Sequence, residues 1–291
     1  MRTVRTIAEL REALAEPHRA GRSIGLVPTM GSFHDGHLSL MRHAREQCDE
    51  VVVSLFVNPA QFNEGSDFAR YPRDERRDSE LAEQEGIDHL FIPPGPEMYP
   101  PGFATTVSLG GVTETLEGVH RGRQHFDGVA TVVIKLLNIV DPDVAYFGAK
   151  DAQQALVVRQ LVRDLNIPVH IEVCPTVRDH DGLALSSRNV LLSSQDRARA
   201  GALHRALLAT ASAVARGEHD PVAAQEEGRA ELVAAEIAPD YFELVNATTF
   251  EPVQQIDGNV VALIAAQIGA TRLIDNEPIP TNNNHPPPGA S

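Results

Sequence analysis

Two histidines three residues apart follow a short apolar run near the start of the chain. The run from Ile24 to Met30 predicts a buried strand, and a helix is expected to begin at His37. Helix N-termini offer free N–H groups and a positive dipole end, which suit phosphate. Imidazole N–H groups could donate to phosphate oxygens during attack on an α-phosphorus. We therefore interpret the segment that contains both histidines as a phosphate site. The alternatives are that the two histidines bind zinc, or that one caps the helix and the other packs. The segment is Thr29-Met30-Gly31-Ser32-Phe33-His34-Asp35-Gly36-His37-Leu38.

A lysine and a serine-rich loop extend this interpretation. A predicted strand, Val144 to Phe147, is followed by Gly148-Ala149-Lys150-Asp151. Lys150 is a candidate clamp for phosphate oxygens, and Asp151 a candidate cap of the next helix; the alternative is a solvated loop lysine. Further along the chain, two serine hydroxyls and an arginine guanidinium form a candidate anion-binding loop, Leu185-Ser186-Ser187-Arg188-Asn189. Serine-rich loops with an arginine are common, so this motif alone is a weak signal.

Uncharged amides mark a second kind of candidate contact. Asn58 and Gln61 follow the predicted strand Glu50 to Val57, and amides suit a hydroxylated substrate because they both accept and donate. The alternative is a turn that the side chain of Asn58 caps. Gln154 could face the same pocket, or it could lie on the surface. Asp78 is a candidate magnesium contact, and a solvated helix-face aspartate is the alternative.

The elements that must position these residues alternate between strand-like and helix-like segments. This alternation predicts an α/β fold, a Rossmann-like doubly wound parallel sheet, whose ligands bind at the carboxyl ends of the strands. We expect three regions: a Rossmann-like domain over residues 1–176, a smaller α+β C-terminal domain over residues 177–277 that closes over the nucleotide site, and a disordered tail over residues 278–291. A strand from Thr105 to Leu109 and one long helix from Ser194 to Ala215 are also expected.

Composition excludes several classes of partner. The net charge of −15 disfavours nucleic acid and anionic membranes, since both require a basic face. The sequence contains no apolar run of about 20 residues and no signal-peptide pattern, so a cytoplasmic location is expected. Cys48 and Cys174 each adjoin an apolar run and are expected to be buried thiols.

Together the segments PTMGSFHDGHLSL, SLFVNPAQF, FGAKDAQQ and LSSRN resemble the pantothenate synthetase (pantoate–β-alanine ligase) family in the same order. That family belongs to the nucleotidyltransferase-like superfamily with a His-x-Gly-His motif. The resemblance covers roughly residues 1 to 277. It implies ATP-dependent joining of pantoate and β-alanine through a pantoyl adenylate, with magnesium (Mg2+) bound through the ATP phosphates. It also implies a homodimer.

The resemblance implies a role for each matching position. Catalytic roles fall to His34, His37 and Lys150. Gln61 and Gln154 would hold pantoate, and β-alanine would contact Gln61, Asn58 and Tyr71. Asp78 matches an acidic position near the magnesium-bound phosphates. The implied ATP-binding residues are Met30, Gly31, Ser32, Phe33, His34, Asp35, Gly36, His37, Gly148, Ala149, Lys150, Asp151, Val177, Leu185, Ser186, Ser187 and Arg188.

One segment departs from the family pattern. The family has one arginine a fixed step before His-Phe, whereas Arg121 and Arg123 straddle that step here.

Two other functions are alternatives to a pantoate–β-alanine ligase. One is a cytidylyl- or adenylyltransferase that acts on another small acid or phosphate ester. Another is a nucleotide-binding regulatory module without turnover, which would leave Lys150 and Gln61 without a purpose. The acidic balance disfavours an aminoacyl-tRNA synthetase.

Overall fold

The computed structural model describes residues 1–63 and 65–279 of the chain. These residues divide into two compact units. The first comprises Met1–Val177 and Leu185–Ser187, and the second comprises Arg178–Ala184 and the described chain from Arg188 onward. The predicted boundary after residue 176 lies one residue before the first point at which the chain passes between the units.

The first unit contains a parallel sheet, as the alternation of elements predicts. Within the described residues it has six strands: β1 (Arg2–Val4), β2 (Ile24–Thr29), β3 (Glu50–Leu55), β4 (His89–Phe91), β5 (Val144–Gly148) and β6 (His170–Cys174). Their order is β1-β4-β3-β2-β5-β6, and every adjacent pair is parallel. The chain therefore builds the sheet in one direction from β2 to β3 and β4, and in the other direction through β5 and β6. This doubly wound order confirms the predicted fold class.

Helices connect these strands and cover both faces of the sheet. They are α1 (Ile7–Arg19), α2 (Asp35–Gln47), α3 (Gly65–Arg70), α4 (Glu75–Gln84), α5 (Gly95–Met98), α6 (Glu117–Arg121), α7 (Arg123–Val140) and α8 (Ala152–Asp164). Adjacent strand residues such as Leu26 and Val27 belong to different core clusters, because successive side chains point to opposite faces. One cluster includes residues of α1, α7 and α8, and the other includes residues of α2 and α4.

The second unit packs helices on an antiparallel sheet. Its helices are α9 (Ser194–Ala200), α10 (Ala202–Ala215) and α11 (Pro221–Ala234), and its strands are β7 (Pro239–Asn246), β8 (Val260–Ile268) and β9 (Thr271–Ile279). The strands pair in the order β7-β8-β9. The helices α10 and α11 cross closely at Gly228, where a Cβ would lie 2.5 Å from the carbonyl oxygen of Ala206. This arrangement confirms the predicted α+β character.

Several predicted elements differ from the structure. Residues Thr105 to Leu109 form no strand, and the N–H of Val107 donates instead to the hydroxyl of Thr131 on α7 at 2.9 Å. The helix expected over Ser194 to Ala215 divides at Gly201 into α9 and α10. Strand β9 continues to Ile279, two residues into the predicted tail, and residues 280–291 lie outside the described residues.

Burial agrees with two expectations from composition. Cys48 and Cys174 are both buried free thiols, as predicted. Among the helices of residues 1–63 and 65–279, none combines the length and the apolar composition that crossing a bilayer requires.

Candidate active site

The segment after β2 turns sharply, and a buried carboxylate holds the turn. Gly31 has a φ of +81° and Ser32 a φ of +56°, both in the left-handed region. Asp78 on α4 accepts hydrogen bonds from the backbone N–H groups of Ser32 at 2.7 Å and Phe33 at 2.8 Å. A Cβ at Gly31 would lie 2.9 Å from the Asp78 Oδ2 atom, so space as well as φ requires glycine there. Helix α4 thus fixes the turn that leads into α2.

Helix α2 begins at Asp35, two residues before the predicted start at His37. The reason is that His34 is the N-cap, and its Nδ1 accepts from the backbone N–H of Gly36 at 3.2 Å. In turn, the Nδ1 of His37 accepts from the backbone N–H of His34 at 3.4 Å. A neutral imidazole that accepts at Nδ1 carries its proton on Nε2. Each ring therefore offers one Nε2–H donor, and the ring centroids lie 4.2 Å apart.

Both imidazoles are neutral near pH 7. Burial lowers the pKa of His34 to about 4, and the positive charge of Lys150 contributes to this shift. Burial also lowers the pKa of His37 to about 3, with a further contribution from His34. The rings consequently act as hydrogen-bond donors without first becoming imidazolium. Neutral N–H donors in a partly buried site suit oxygens that gain negative charge during a reaction.

Lys150 lies near both histidines, as the sequence predicts. It sits in a short 3-10 helix, Ala149–Asp151, directly after β5, and its side chain is only 18% exposed. Its Nζ lies 3.4 Å from the Asp151 carboxylate. The predicted cap at Asp151 is not formed by its side chain, since α8 continues from the 3-10 helix.

The strand order explains why the histidines and the lysine meet. Strands β2 and β5 are direct neighbours, with Gly25 opposite Val144 and Leu26 opposite Ala145. They are also the point at which the chain reverses its direction across the sheet. In open parallel sheets, ligands bind outside the carboxyl ends of the strands at this switch point. The segments Met30–His37 and Gly148–Asp151 leave the sheet there.

Gln61 reaches the same turn from the next strand. It ends the 3-10 helix Pro59–Gln61, which follows β3, and its Nε2 lies 3.0 Å from the Met30 sulfur. The side chain of Asn58, by contrast, is 1% exposed. Its amide is bonded to Gly128, Ala60, Tyr99 and Gln61, so Asn58 differs from the predicted substrate contact. Asn58 holds Gln61 in place instead.

Two adjacent glutamines of α8 have different surroundings. Gln154, which the sequence predicts as a substrate contact, is half-buried in the first turn of the helix. Gln153 is 5% exposed, and its Nε2 donates to the carbonyl oxygens of Val112 at 2.7 Å and Thr115 at 2.9 Å. Its Oε1 accepts from the backbone N–H of Glu117 at 3.0 Å. Gln153 thus secures the loop before α6.

Tyr71 is buried and contacts the serine-rich segment within the first unit. Its hydroxyl lies 3.2 Å from the Ser187 Oγ atom. Its ring packs edge-on against Phe62, with the centroids 5.7 Å apart, and Phe62 also packs on Phe68. The hydroxyl of Tyr71 thus lies next to a predicted ATP-binding residue.

The other predicted nucleotide residues divide between the units. The backbone N–H of Leu185 donates to the carbonyl oxygen of Val177 at 3.0 Å, and Ser186 and Ser187 continue from there in the first unit. Arg188 belongs to the second unit. Of the five positions Val177, Leu185, Ser186, Ser187 and Arg188, all but Arg188 therefore belong to the first unit.

The two arginines that straddle the family position differ in their surroundings. The Nε of Arg121 donates to the carboxylate of Glu117, which is 6% exposed, at 2.6 Å. Arg123 is exposed, and its Nε donates to the hydroxyl of Ser108 at 3.1 Å. A buried carboxylate thus holds Arg121, whereas Arg123 is bonded to an exposed hydroxyl.

The structure gives Asp78 a different role from the predicted magnesium contact. The residue is 0% exposed, and both carboxylate oxygens accept backbone hydrogen bonds from the turn. A metal ion needs ligand oxygens that it can reach, so the residues present do not fit a resident magnesium at Asp78. Among the described residues, the group with metal-ligand spacing is Asp179, His180 and Asp181, and both of its carboxylates are already paired with Arg197.

Three residues that were not predicted from the sequence support the site: Gln153, Tyr99 and Gly128. A Cβ at Gly128 would lie 2.3 Å from the carbonyl oxygen of Ala60, so α7 and the 3-10 helix after β3 approach backbone to backbone. An interior helical glycine is a signal that could have identified this contact, because glycine destabilises helices unless packing requires it. The roles of Gln153 and Tyr99 depend on long-range contacts that leave no local pattern.

A doubly wound parallel sheet with a candidate site at its switch point is typical of α/β nucleotide-binding proteins. Comparison with known proteins identifies the family. The chain belongs to the pantoate-β-alanine ligase family, whose model matches residues 2–278.

Named relatives agree with this assignment along nearly the whole chain. Pantothenate synthetase of Cereibacter sphaeroides is 51% identical over 276 residues, which cover 95% of this chain and 99% of that protein. The protein of the same name from Moorella thermoacetica is 50% identical over 284 residues, covering 97% and 100%. These relatives support the function implied by the resemblance and not the alternative nucleotidyltransferase.

Solved structures agree as well. Pantothenate synthetase from Thermus thermophilus superposes with a TM-score of 0.91 at 47% identity, covering 96% of this chain and 99% of that one. Pantoate-β-alanine ligase from Francisella tularensis, described as complexed with beta-gamma ATP and β-alanine, superposes with a TM-score of 0.80 at 34% identity. It covers 96% of this chain and 97% of that one.

Proposed function

We propose that this chain joins pantoate and β-alanine to form pantothenate, and that it uses ATP through a pantoyl-adenylate intermediate. Full-length similarity to named ligases supports the reaction, and a relative described as complexed with beta-gamma ATP and β-alanine supports the substrates. The observation that carries the chemistry is the pair of neutral imidazoles at the switch point, each with an Nε2–H donor.

In the first step, a carboxylate oxygen of pantoate attacks the α-phosphorus of ATP, and pyrophosphate leaves with the bond electrons. Negative charge on the phosphoryl oxygens grows during this displacement. The Nε2–H groups of His34 and His37 donate to these oxygens, and the ammonium of Lys150 supplies a full positive charge. Because the imidazoles are already neutral, no proton has to be lost or gained before the step.

In the second step, the amine of β-alanine attacks the acyl carbon of the adenylate. The bond between the acyl carbon and the bridging oxygen breaks, AMP leaves with that oxygen, and the amine loses one proton. AMP is a far better leaving group than the oxygen of a free carboxylate, so adenylation makes the amide bond accessible. We assign Gln61 and Gln154 to pantoate, and Gln61 to the β-alanine side as well. Tyr71 we place on the substrate side.

The nucleotide contacts in this proposal are those of the two switch-point segments together with Val177 and the residues from Leu185 to Arg188. Closure of the C-terminal domain over the nucleotide stays a prediction. Magnesium belongs to the substrate, since it neutralises the triphosphate and arrives with it. A homodimer and a cytoplasmic location also stay predictions, and light scattering measures the first directly.

Product analysis tests the proposal. Purified chain with ATP, magnesium and pantoate should release pyrophosphate up to one equivalent per site, and β-alanine should then restore continuous turnover. Pantothenate, AMP and pyrophosphate should form in equal amounts. Turnover with a phosphate ester in place of pantoate, or turnover that yields ADP, would contradict the assignment. A matched reaction with propionate, which lacks hydroxyls, serves as the substrate control.

A further inference from the structure

The carboxamide of Asn58 has every hydrogen-bonding position filled within the protein. Its Nδ2 donates to the carbonyl oxygen of Gly128 at 3.1 Å and to the Oε1 of Gln61 at 3.1 Å. Its Oδ1 accepts from the backbone N–H of Ala60 at 3.3 Å and from the hydroxyl of Tyr99 at 2.8 Å. A primary amide offers two donors and two acceptor lone pairs, so none is left for a ligand.

Two backbone groups decide which way this amide faces. A carbonyl oxygen such as that of Gly128 can only accept, and a backbone N–H such as that of Ala60 can only donate. The nitrogen of Asn58 must therefore face Gly128, and its oxygen must face Ala60. Asn58 then has one donor left for Gln61 and one acceptor left for Tyr99.

The orientation of Asn58 fixes that of Gln61. Because Asn58 donates, the atom of Gln61 that faces it must be the oxygen Oε1. The Nε2 of Gln61 consequently points the other way, where it lies 3.0 Å from the sulfur of Met30. A thioether is a weak acceptor, so a substrate oxygen would be a better partner for this N–H group.

We propose that Tyr99 is a positioning residue. Its hydroxyl donates the shortest of the four hydrogen bonds to the Asn58 carboxamide and so restrains the position of that amide, which holds Gln61 as a hydrogen-bond donor toward an acceptor oxygen of the substrate. This inference rests on the proposed function, because it takes Gln61 as a pantoate contact. The acceptor is a hydroxyl or carboxylate oxygen of pantoate. A substrate that offered only a donor at this point would meet the wrong end of the amide.

The surroundings of Tyr99 fit a positioning role. Its backbone N–H donates to the carbonyl oxygen of Gly95 at 2.8 Å, which ends α5. Its ring packs on Phe103 and Phe56, with centroids at 5.1 Å and 6.1 Å, and the ammonium of Lys135 lies 5.9 Å from the ring centroid. Phenylalanine would keep all of these ring contacts and remove only the hydroxyl.

The test compares Tyr99→Phe with Tyr146→Phe. Tyr146 is a buried tyrosine of the same unit, whose hydroxyl bonds to Gln47 at 3.0 Å and lies 3.3 Å from the Cys48 sulfur. Tyr99→Phe should raise the KM for pantoate about fivefold and leave the KM for ATP within about twofold, since one neutral hydrogen bond is lost. Tyr146→Phe should leave both KM values unchanged. An unchanged KM for pantoate in Tyr99→Phe, or an equal rise in both KM values, would overturn the proposal.

A double-mutant cycle shows whether Tyr99 acts through Gln61. In a Gln61→Met background, which keeps side-chain volume but removes the amide, Tyr99→Phe should cause no further loss of kcat/KM for pantoate. The same loss in both backgrounds would refute the relay. Wild-type enzyme that fails to release pyrophosphate with pantoate would instead reject the proposed function, so the two failures are distinguishable.

Discussion

Two segments that each follow a strand of the large sheet are held by different kinds of interaction, one by hydrogen bonds to its backbone and the other by ion pairs. The turn Met30–His37 after β2 depends on buried and part-buried hydrogen bonds from backbone N–H groups to the carboxylate of Asp78 and to two imidazoles. The segment Arg178–Ala184, which comes after β6, depends on guanidinium ion pairs within the second unit.

Those ion pairs come from two arginines. Arg178 donates to Asp275 at 2.7 Å and to the carbonyl oxygen of Asn276 at 3.1 Å. Arg197 donates to Asp179 at 2.5 Å and to Asp181 at 3.0 Å, and its side chain is 27% exposed. Salt screens ion pairs between partly exposed side chains more strongly than it screens hydrogen bonds to buried or part-buried backbone groups. The two segments should therefore respond differently to mutation, salt and pH.

The largest effect is expected at the histidine that ends the first segment. His37→Ala should lower kcat by about 10²-fold or more, since removal of a donor to developing charge costs roughly 3 kcal/mol. His43→Ala is the matched control on the same helix, where the ring bonds to the Ser39 carbonyl oxygen. It should leave kcat within about twofold, measured by pyrophosphate release. Equal kcat values for His37→Ala and wild type would remove His37 from the mechanism.

Asp78→Asn should cause the next largest effect. Asparagine keeps one acceptor oxygen but turns an NH2 group toward a backbone N–H of the turn, which leaves a buried donor unsatisfied. We expect a loss of about 2 kcal/mol in the free energy of unfolding, measured by urea denaturation. Asp74→Asn is the control, because Asp74 caps the same helix and asparagine caps equally well. Equal stability of the two variants would show that Asp78 does not hold the turn.

Acid should weaken the first segment through the two imidazoles. Their pKa values fall from 6.5 in the unfolded chain to about 4 for His34 and about 3 for His37. Between pH 6.5 and these values the unfolded state binds protons that the folded state excludes, so stability falls as pH falls. The loss at pH 5 is up to about 2 kcal/mol per imidazole. In a His34→Gln, His37→Gln double variant, urea denaturation at pH 7.5 and pH 5 should show a smaller drop; an unchanged drop would contradict the shifts.

The smallest effect is expected in the second segment. Arg197→Lys should lower the free energy of unfolding by about 1 kcal/mol at low salt, since lysine cannot bridge two carboxylates as a planar fork. The difference should shrink in 1 M NaCl, where the screening length is about 3 Å. Arg216→Lys, which alters a more exposed pair with Glu227, is the control and should change stability by about 0.5 kcal/mol or less. A larger loss in the free energy of unfolding that is the same at low salt and in 1 M NaCl would contradict the proposed difference between the two segments.

Local pattern was enough to predict most elements and the segments that follow β2 and β5. The apolar run before Met30 and the β-branched run of β3 predicted strands within one or two residues of their ends. The first residues of α2 were missed, because a histidine is not a usual N-cap and His34 caps through its ring. The strand predicted at Thr105 to Leu109 was wrong, since a side-chain hydroxyl satisfies the backbone there in place of a ladder.

What the sequence could not supply was the set of long-range contacts. The adjacency of β2 and β5 depends on pairing between distant segments, and only that pairing brings Lys150 to the histidines. Asp78 looked like a surface aspartate or a metal contact, but it lies 45 residues from the Phe33 amide that it binds. The same holds for Asn58, whose burial follows from the close approach of Gly128 to Ala60.

Isotope transfer tests directly whether the enzyme forms a mixed anhydride of pantoate and AMP at the switch point. Pantoate labelled with ¹⁸O in its carboxylate is incubated with ATP, β-alanine and the enzyme, and the AMP is examined by mass spectrometry. One labelled oxygen in AMP and none in pyrophosphate is the predicted result. Unlabelled AMP, with all of the label retained in pantothenate or found in phosphate, would contradict adenylation.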